Sequence, residues 1–111
     1  NVGWLPDFHD PQTILDVTFN GERITPVNNS NWPLLNDPKI NAAMVRAERL
    51  LDPSARAAAW GKIDQTVTRT AAAVPWLWEN YPTLFSRRVT AAPERWNGGS
   101  PDVTFMAVTS S

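Results

Sequence analysis

A chain of 111 residues, 42% hydrophobic and 19% charged, has the composition of a globular domain; it is too short for two ordinary domains and too apolar for a disordered tail. Its net charge of -1, with the cations scattered, excludes the clustered basic surface that nucleic-acid binding needs. No cysteine is present, which removes disulfides, thiolate nucleophiles and cysteine-ligated zinc together. The longest apolar run, Ala71 to Trp78, is broken by Pro75 and falls short of the roughly 20 residues of a membrane span. The chain begins with Asn rather than Met, so a piece of a longer protein is expected.

In chain order, Val2 to Leu5 reads as a short edge or terminal strand that stops where Pro6 removes a backbone donor. Asp10-Pro11 reads as a helix start, with Asp at the N-cap and Pro at the first helical position. The helix is predicted over 11–18, turns Ile14, Leu15 and Phe19 toward a core, and ends at Asn20-Gly21. Residues 22–37 form a loop rich in Asn and Pro, with a short strand at Arg23 to Thr25; loops of this length inside a domain are often functional. Within it, Asn28-Asn29-Ser30 fits the N-glycosylation pattern, which is short enough to arise by chance.

Two helices with the same punctuation follow, one opened by Asp37-Pro38 and one by Asp52-Pro53. The first carries an apolar stripe of Ile40, Ala43, Met44, Ala47, Leu50 and Leu51; the second carries Ala59, Ile63, Val67, Thr70 and Ala71. The one-residue link between them predicts a sharp turn and direct packing. Ala73 to Tyr81 alternates as a strand, with Val74, Trp76 and Trp78 on one side and Leu77 and Glu79 on the other; Thr83 to Val89 reads as another, Ala92 to Asp102 as a turn-rich connector, and Val103 to Thr109 as a closing strand. The expected fold class is mixed α/β (α+β), with two adjacent helices packed on a small sheet. Six tryptophans, at 4, 32, 60, 76, 78 and 96, favour an aromatic-lined pocket or interface, and Trp60, Trp76 and Trp78 are assigned to the core.

Catalysis has little to stand on. Asp7 and Asp10 could act as the acid and base of a carbohydrate-active hydrolase, but two Asp three apart in a turn is a weak signal, and the same residues read better as a wall and a helix cap. His9 is the single histidine, and no nucleophile elbow, phosphate-binding loop or metalloprotease motif accompanies it. No cofactor and no metal site are expected. A binding role fits better: a carboxylate at Asp7 beside Trp4 and Phe8 is suited to an ammonium group, with Asn31 and Trp32 as further contacts from the loop. A third reading is a Trp-rich protein-interaction domain.

The order of segments resembles the C-terminal part of the family 5 extracellular solute-binding proteins, the dipeptide- and oligopeptide-binding receptors of ABC importers. Trp4, Asp7 and Phe8 match the family's strand end, Asp10-Pro11 its helix start, and Ile40 to Leu51 its paired apolar helix. Asp52, Arg56, Trp60, Ile63 and Asp64 match the next helix, and Val74 to Leu77 the strand after it. The resemblance runs from Gly3 to about Val89; it rests on order and spacing rather than on one specific motif.

It implies non-enzymatic capture of a small, peptide-like solute, with Asp7 pairing the ligand's ammonium and Trp4 lining a side-chain pocket. It implies part of one lobe of a two-lobed periplasmic-binding-protein-like fold, with a lobe portion over 1–89 and a connector and closing strand over 90–111. The implied partner is the membrane permease of an ABC transporter. The implied location is extracellular or periplasmic, at the cell envelope, where a lipid anchor on the parent is one arrangement. Pro6 departs from the small residue that relatives carry, and forfeits any ligand contact through that amide. The isolated chain is expected to self-associate through unpaired strand edges; a compact monomer in sedimentation would refute this.

Overall fold

In the computed structural model, the residues described are 3–76, 82, 84–93 and 101–109. Among them the chain forms helices α1 (Gln12–Phe19), α2 (Pro38–Glu48) and α3 (Pro53–Arg69), a 3-10 turn (Gly21–Arg23), and strands β1 (Val89–Pro93) and β2 (Pro101–Val108). This is a small α+β arrangement of three helices and one antiparallel two-stranded sheet.

The helix starts follow from their capping chemistry. Asp37 Oδ1 accepts from the amides of Lys39 (2.7 Å) and Ile40 (3.3 Å), and Asp52 Oδ1 from that of Ala55 (2.7 Å), each with Pro at the next position. Such caps contribute about 0.5–2 kcal/mol each. Asp10 Oδ1 accepts from the Gln12 amide at 2.9 Å, and Pro11, with helical φ and ψ, supplies the carbonyl for Leu15. Asn20 ends α1, and its side-chain oxygen then caps the 3-10 turn by accepting from the Glu22 amide.

The core sits where the three helices meet. Leu15 of α1, Ile40, Met44 and Ala47 of α2, and Trp60, Ile63 and Val67 of α3 are buried, with Phe19, Leu35, Ala43 and Ala59 packed against them. The stripes on α2 and α3 therefore face each other as their periodicity requires. Both stripes stop sooner than the sequence suggests: α2 ends at Glu48 and leaves Leu51 in the exposed link, while Thr70 and Ala71 lie beyond α3 and are exposed.

The loop between α1 and α2 is held by asparagines. The Asn31 side chain, 0% exposed, donates from Nδ2 to the carbonyls of Asn20 (3.1 Å) and Leu35 (2.8 Å), while its Oδ1 accepts from the Leu35 amide (3.0 Å). These bonds hold Leu34 at a φ of 54°, a left-handed conformation that costs a branched residue about 1–2 kcal/mol. Asn29 Oδ1 accepts from the Asn31 amide, and Asn41 Oδ1 from the Gly21 amide. Gly21 is required by proximity: a Cβ there would stand 2.0 Å from Asn36 Oδ1 and 2.7 Å from the Asn36 Cα. Gly21→Ala is expected to destabilise the fold by about 1–3 kcal/mol, as overpacking does, read as a lower urea midpoint; an unchanged midpoint would refute the close approach.

Several expectations change. Residues 3–6 form no strand, and neither do residues 23–25, because the 3-10 turn and the asparagine staples satisfy the backbone there instead. Residues 74–76 are likewise not strand, and Trp76, assigned to the core, is 84% exposed. The strand expected over Thr83 to Val89 is not formed by residues 84–88, and β1 runs instead from Val89 into the expected connector, while the closing strand is present as β2. The helices do not pack on the sheet: among the described elements, β1 and β2 contact only each other, paired from Val89 opposite Val108 to Pro93 opposite Pro101, with a register shift between Thr90 and Ala92. The Cα radius of gyration, 17.8 Å, accordingly exceeds the about 13 Å of a compact chain of this length. Trp78, Trp96 and the rest of the expected strand, residues 77–81, lie outside the described residues.

Candidate functional site

A turn at the start of α1 sets the position of Asp7 and Phe8. The Asp10 amide donates to the Phe8 carbonyl at 2.8 Å, and the Thr13 hydroxyl to the Asp10 carbonyl at 2.9 Å, so the segment folds back onto the first turn of the helix. Asp7 and Phe8 line a cleft of about 380 Å³. Gln12, Thr13, Asp16 and Val17 of α1, and Arg23, Thr25, Asn28 and Ser30 beyond it, line the same cleft.

The charge in this cleft is organised around Asp16. It is 3% exposed, and an ionised carboxylate buried to that degree needs partners. Asn20 Nδ2 donates to Oδ1 at 2.6 Å, while Arg23 Nε and Nη2 donate to Oδ2 at 2.8 and 2.7 Å. The buried carboxylate thus fixes a guanidinium whose side chain is more than half exposed at the cleft. A guanidinium carries five N–H donors, more than Asp16 engages. The cleft therefore presents an acceptor charge at Asp7 and a donor charge at Arg23, with hydroxyl and amide groups of Thr25, Asn28 and Ser30 beside them.

Asp10 serves elsewhere. Arg56 of α3 reaches across the helical body and forks onto it, Nε to Oδ2 at 2.6 Å and Nη2 to Oδ1 at 3.2 Å. The same guanidinium donates to Gln12 Oε1 (2.6 Å) and to the carbonyls of Ala47 (3.2 Å) and Glu48 (2.8 Å) at the end of α2. Gln12 completes the ring by donating to Glu48 Oε1 at 2.9 Å. The hydrogen bond from Arg56 holds the Asp10 carboxyl below its ordinary value of 3.8, against an opposing effect of burial, with the Gln12 amide adding to the lowering. The fork gives this carboxyl a structural partner.

Of the five residues singled out from sequence, Asp7 and Phe8 come together in the cleft. Trp4 and Trp32 are both exposed and are not among its described lining residues. Asn31 is the clear correction: its side chain is fully buried and spent on backbone groups, so no solute reaches it. Arg23 and Arg56 carry more of the site's architecture than the sequence reading gave them. The signal for Arg23 was Asp16, an acid adjacent to Leu15 on the inward side of α1, which demands a nearby cation. Among the described residues, no group of three or more His, Cys, Asp or Glu is placed to hold a metal ion, and no helix is long and apolar enough to cross a membrane. No family model, curated protein or solved structure matches the chain.

Proposed function

We propose that this chain is a non-enzymatic solute-capture element, the C-terminal lobe portion of a family 5 type transport receptor that delivers a peptide-like solute to an ABC importer. The observation that carries the reading is the cleft that Asp7 and Phe8 share with a guanidinium fixed by a buried carboxylate. A peptide-like solute offers an ammonium to Asp7, a carboxylate or carbonyl to Arg23, and an apolar side chain to Phe8. The resemblance in segment order supports the same assignment, and an extracellular or periplasmic site of action goes with it. The hairpin that packs on no described helix, and the exposed Trp76, are surfaces through which the isolated chain would self-associate.

Binding to one portion of a two-lobed receptor is weak, because much of the ligand stays in water. Isothermal titration with an unblocked dipeptide such as Ala-Phe is therefore done at high concentration. Asp7→Asn is expected to weaken binding by roughly tenfold to a hundredfold, the loss of one charge-assisted hydrogen bond. N-acetylation of the dipeptide is expected to match that loss and to add nothing in the variant. Equal affinity of parent and Asp7→Asn for the free dipeptide would overturn the assignment.

A further inference from the structure

The second cavity lies on a different face and does not depend on the cleft. α2 and α3, joined by a short link, leave between them a groove of about 360 Å³. Its walls are apolar, with Ile40, Ala43 and Ala47 from α2, Ala59 and Ile63 from α3, and Leu50 from the link. Three cations line it as well: Lys39 and Arg46 from α2 and Lys62 from α3. All three are exposed, and no carboxylate is among its described lining residues.

The placement of those cations says what fits. Lys39 and Arg46 are two helical turns apart on one face, about 10 Å along α2. Lys62 stands on the opposite wall. A small amphiphile with one anionic head would meet one cation and lay its tail past the others. An occupant with several carboxylates, spaced along both sides of an apolar ridge, meets all three. A helix with an apolar stripe and acidic flanks has that pattern, and a groove between two helices is a common seat for such a segment.

We propose that the α2–α3 groove is a docking site for an acidic amphipathic helix of a partner protein. The apolar stripe seats on the exposed Leu50 and the half-buried Ala43 and Ala59, above the buried Ile40 and Ile63, and its flanking carboxylates pair with Lys39, Arg46 and Lys62. Charge here sets orientation and partner choice, while the stripe supplies most of the affinity.

Fluorescence anisotropy of the full chain with two synthetic probes tests this. Both are labelled helices of about four turns with the same leucine stripe, one flanked by Glu and one by Lys. The Glu probe is expected to bind about tenfold tighter at low salt, the combined effect of three exposed ion pairs, and the preference should shrink as salt is raised. Lys39→Glu/Arg46→Glu is expected to reverse the preference; Lys62→Glu alone should reduce it and serves if the double variant fails to fold. Equal binding of the two probes, binding of neither, or an unchanged preference in a folded variant would each overturn the proposal. So would saturable binding of dodecanoate with no binding of the Glu probe, which would make the groove a small-amphiphile site.

Discussion

Arg56→Ala is expected to lower the unfolding free energy by about 3 kcal/mol, a figure at the lower end for breaking a buried ion pair because both partners retain partial solvent access. The size follows from what the substitution strands. It leaves the Asp10 carboxylate without its fork, Gln12 Oε1 without its donor, and the Glu48 carbonyl without its guanidinium contact, while the Ala47 carbonyl keeps the Leu50 amide. It also removes a guanidinium that lies 6.0 Å from the centre of the Trp60 ring. Arg56→Lys keeps the charge but cannot reproduce the planar fork, and is expected to cost about 1–2 kcal/mol. Urea denaturation followed by tryptophan fluorescence measures both. An alanine variant within 1 kcal/mol of the parent would mean that the ring of bonds is energetically idle.

The same contact fixes a pH dependence. The folded Asp10 carboxyl lies below its ordinary value of 3.8. Its contribution is therefore complete above the unfolded value and is lost as pH falls through the folded value. The parent should lose stability on acidification below about pH 4. Arg56→Ala, which removes the main cause of the lowering, should show a shallower acid limb.

Trp60→Ala is expected to cost about 3–5 kcal/mol, the range for emptying a core aromatic site. Trp60 is 0% exposed and contributes the largest buried side chain, at the point where α3 meets the rest of the core. Trp60→Phe separates two effects. Among the described residues the indole Nε1 has no hydrogen-bond partner, so the parent already bears the desolvation of that donor. Phenylalanine removes both the ring volume and the unsatisfied N–H, and is expected to cost about 1 kcal/mol. A loss as large as that of Trp60→Ala would show that the indole nitrogen has a partner.

The helical part of the fold was legible because its signals are local. Asp-Pro starts and residues spaced at three and four positions fix where α2 and α3 begin and which faces they bury. Helix ends were less legible: nothing in Glu48-Arg49-Leu50-Leu51 distinguishes stripe from link by composition. The strand expectations at residues 3–6, 23–25 and 74–76 misled because short alternation is weak evidence when no pairing partner is visible in sequence. Asn31 misled for a related reason. Its donors and acceptor suit a solute as well as they suit the backbone of a tight loop, and only the left-handed Leu34 beside it shows which use prevails. Asp10 concealed a third role behind the cap, because Arg56 is distant in sequence and touches it only after α3 has folded back. Asp7 and Phe8 reached a common cleft because the turn that places them is local.

The measurement closest to the central idea is a map of backbone amide shifts as the unblocked dipeptide is added to the isotope-labelled chain. If Asp7 and the tethered Arg23 grip a guest together, the signals that move belong to Asp7, Phe8, Thr13, Arg23, Asn28 and Ser30, and they stay still in Asp7→Asn. Movement confined to the α2–α3 groove, or no movement at saturating dipeptide, would contradict it.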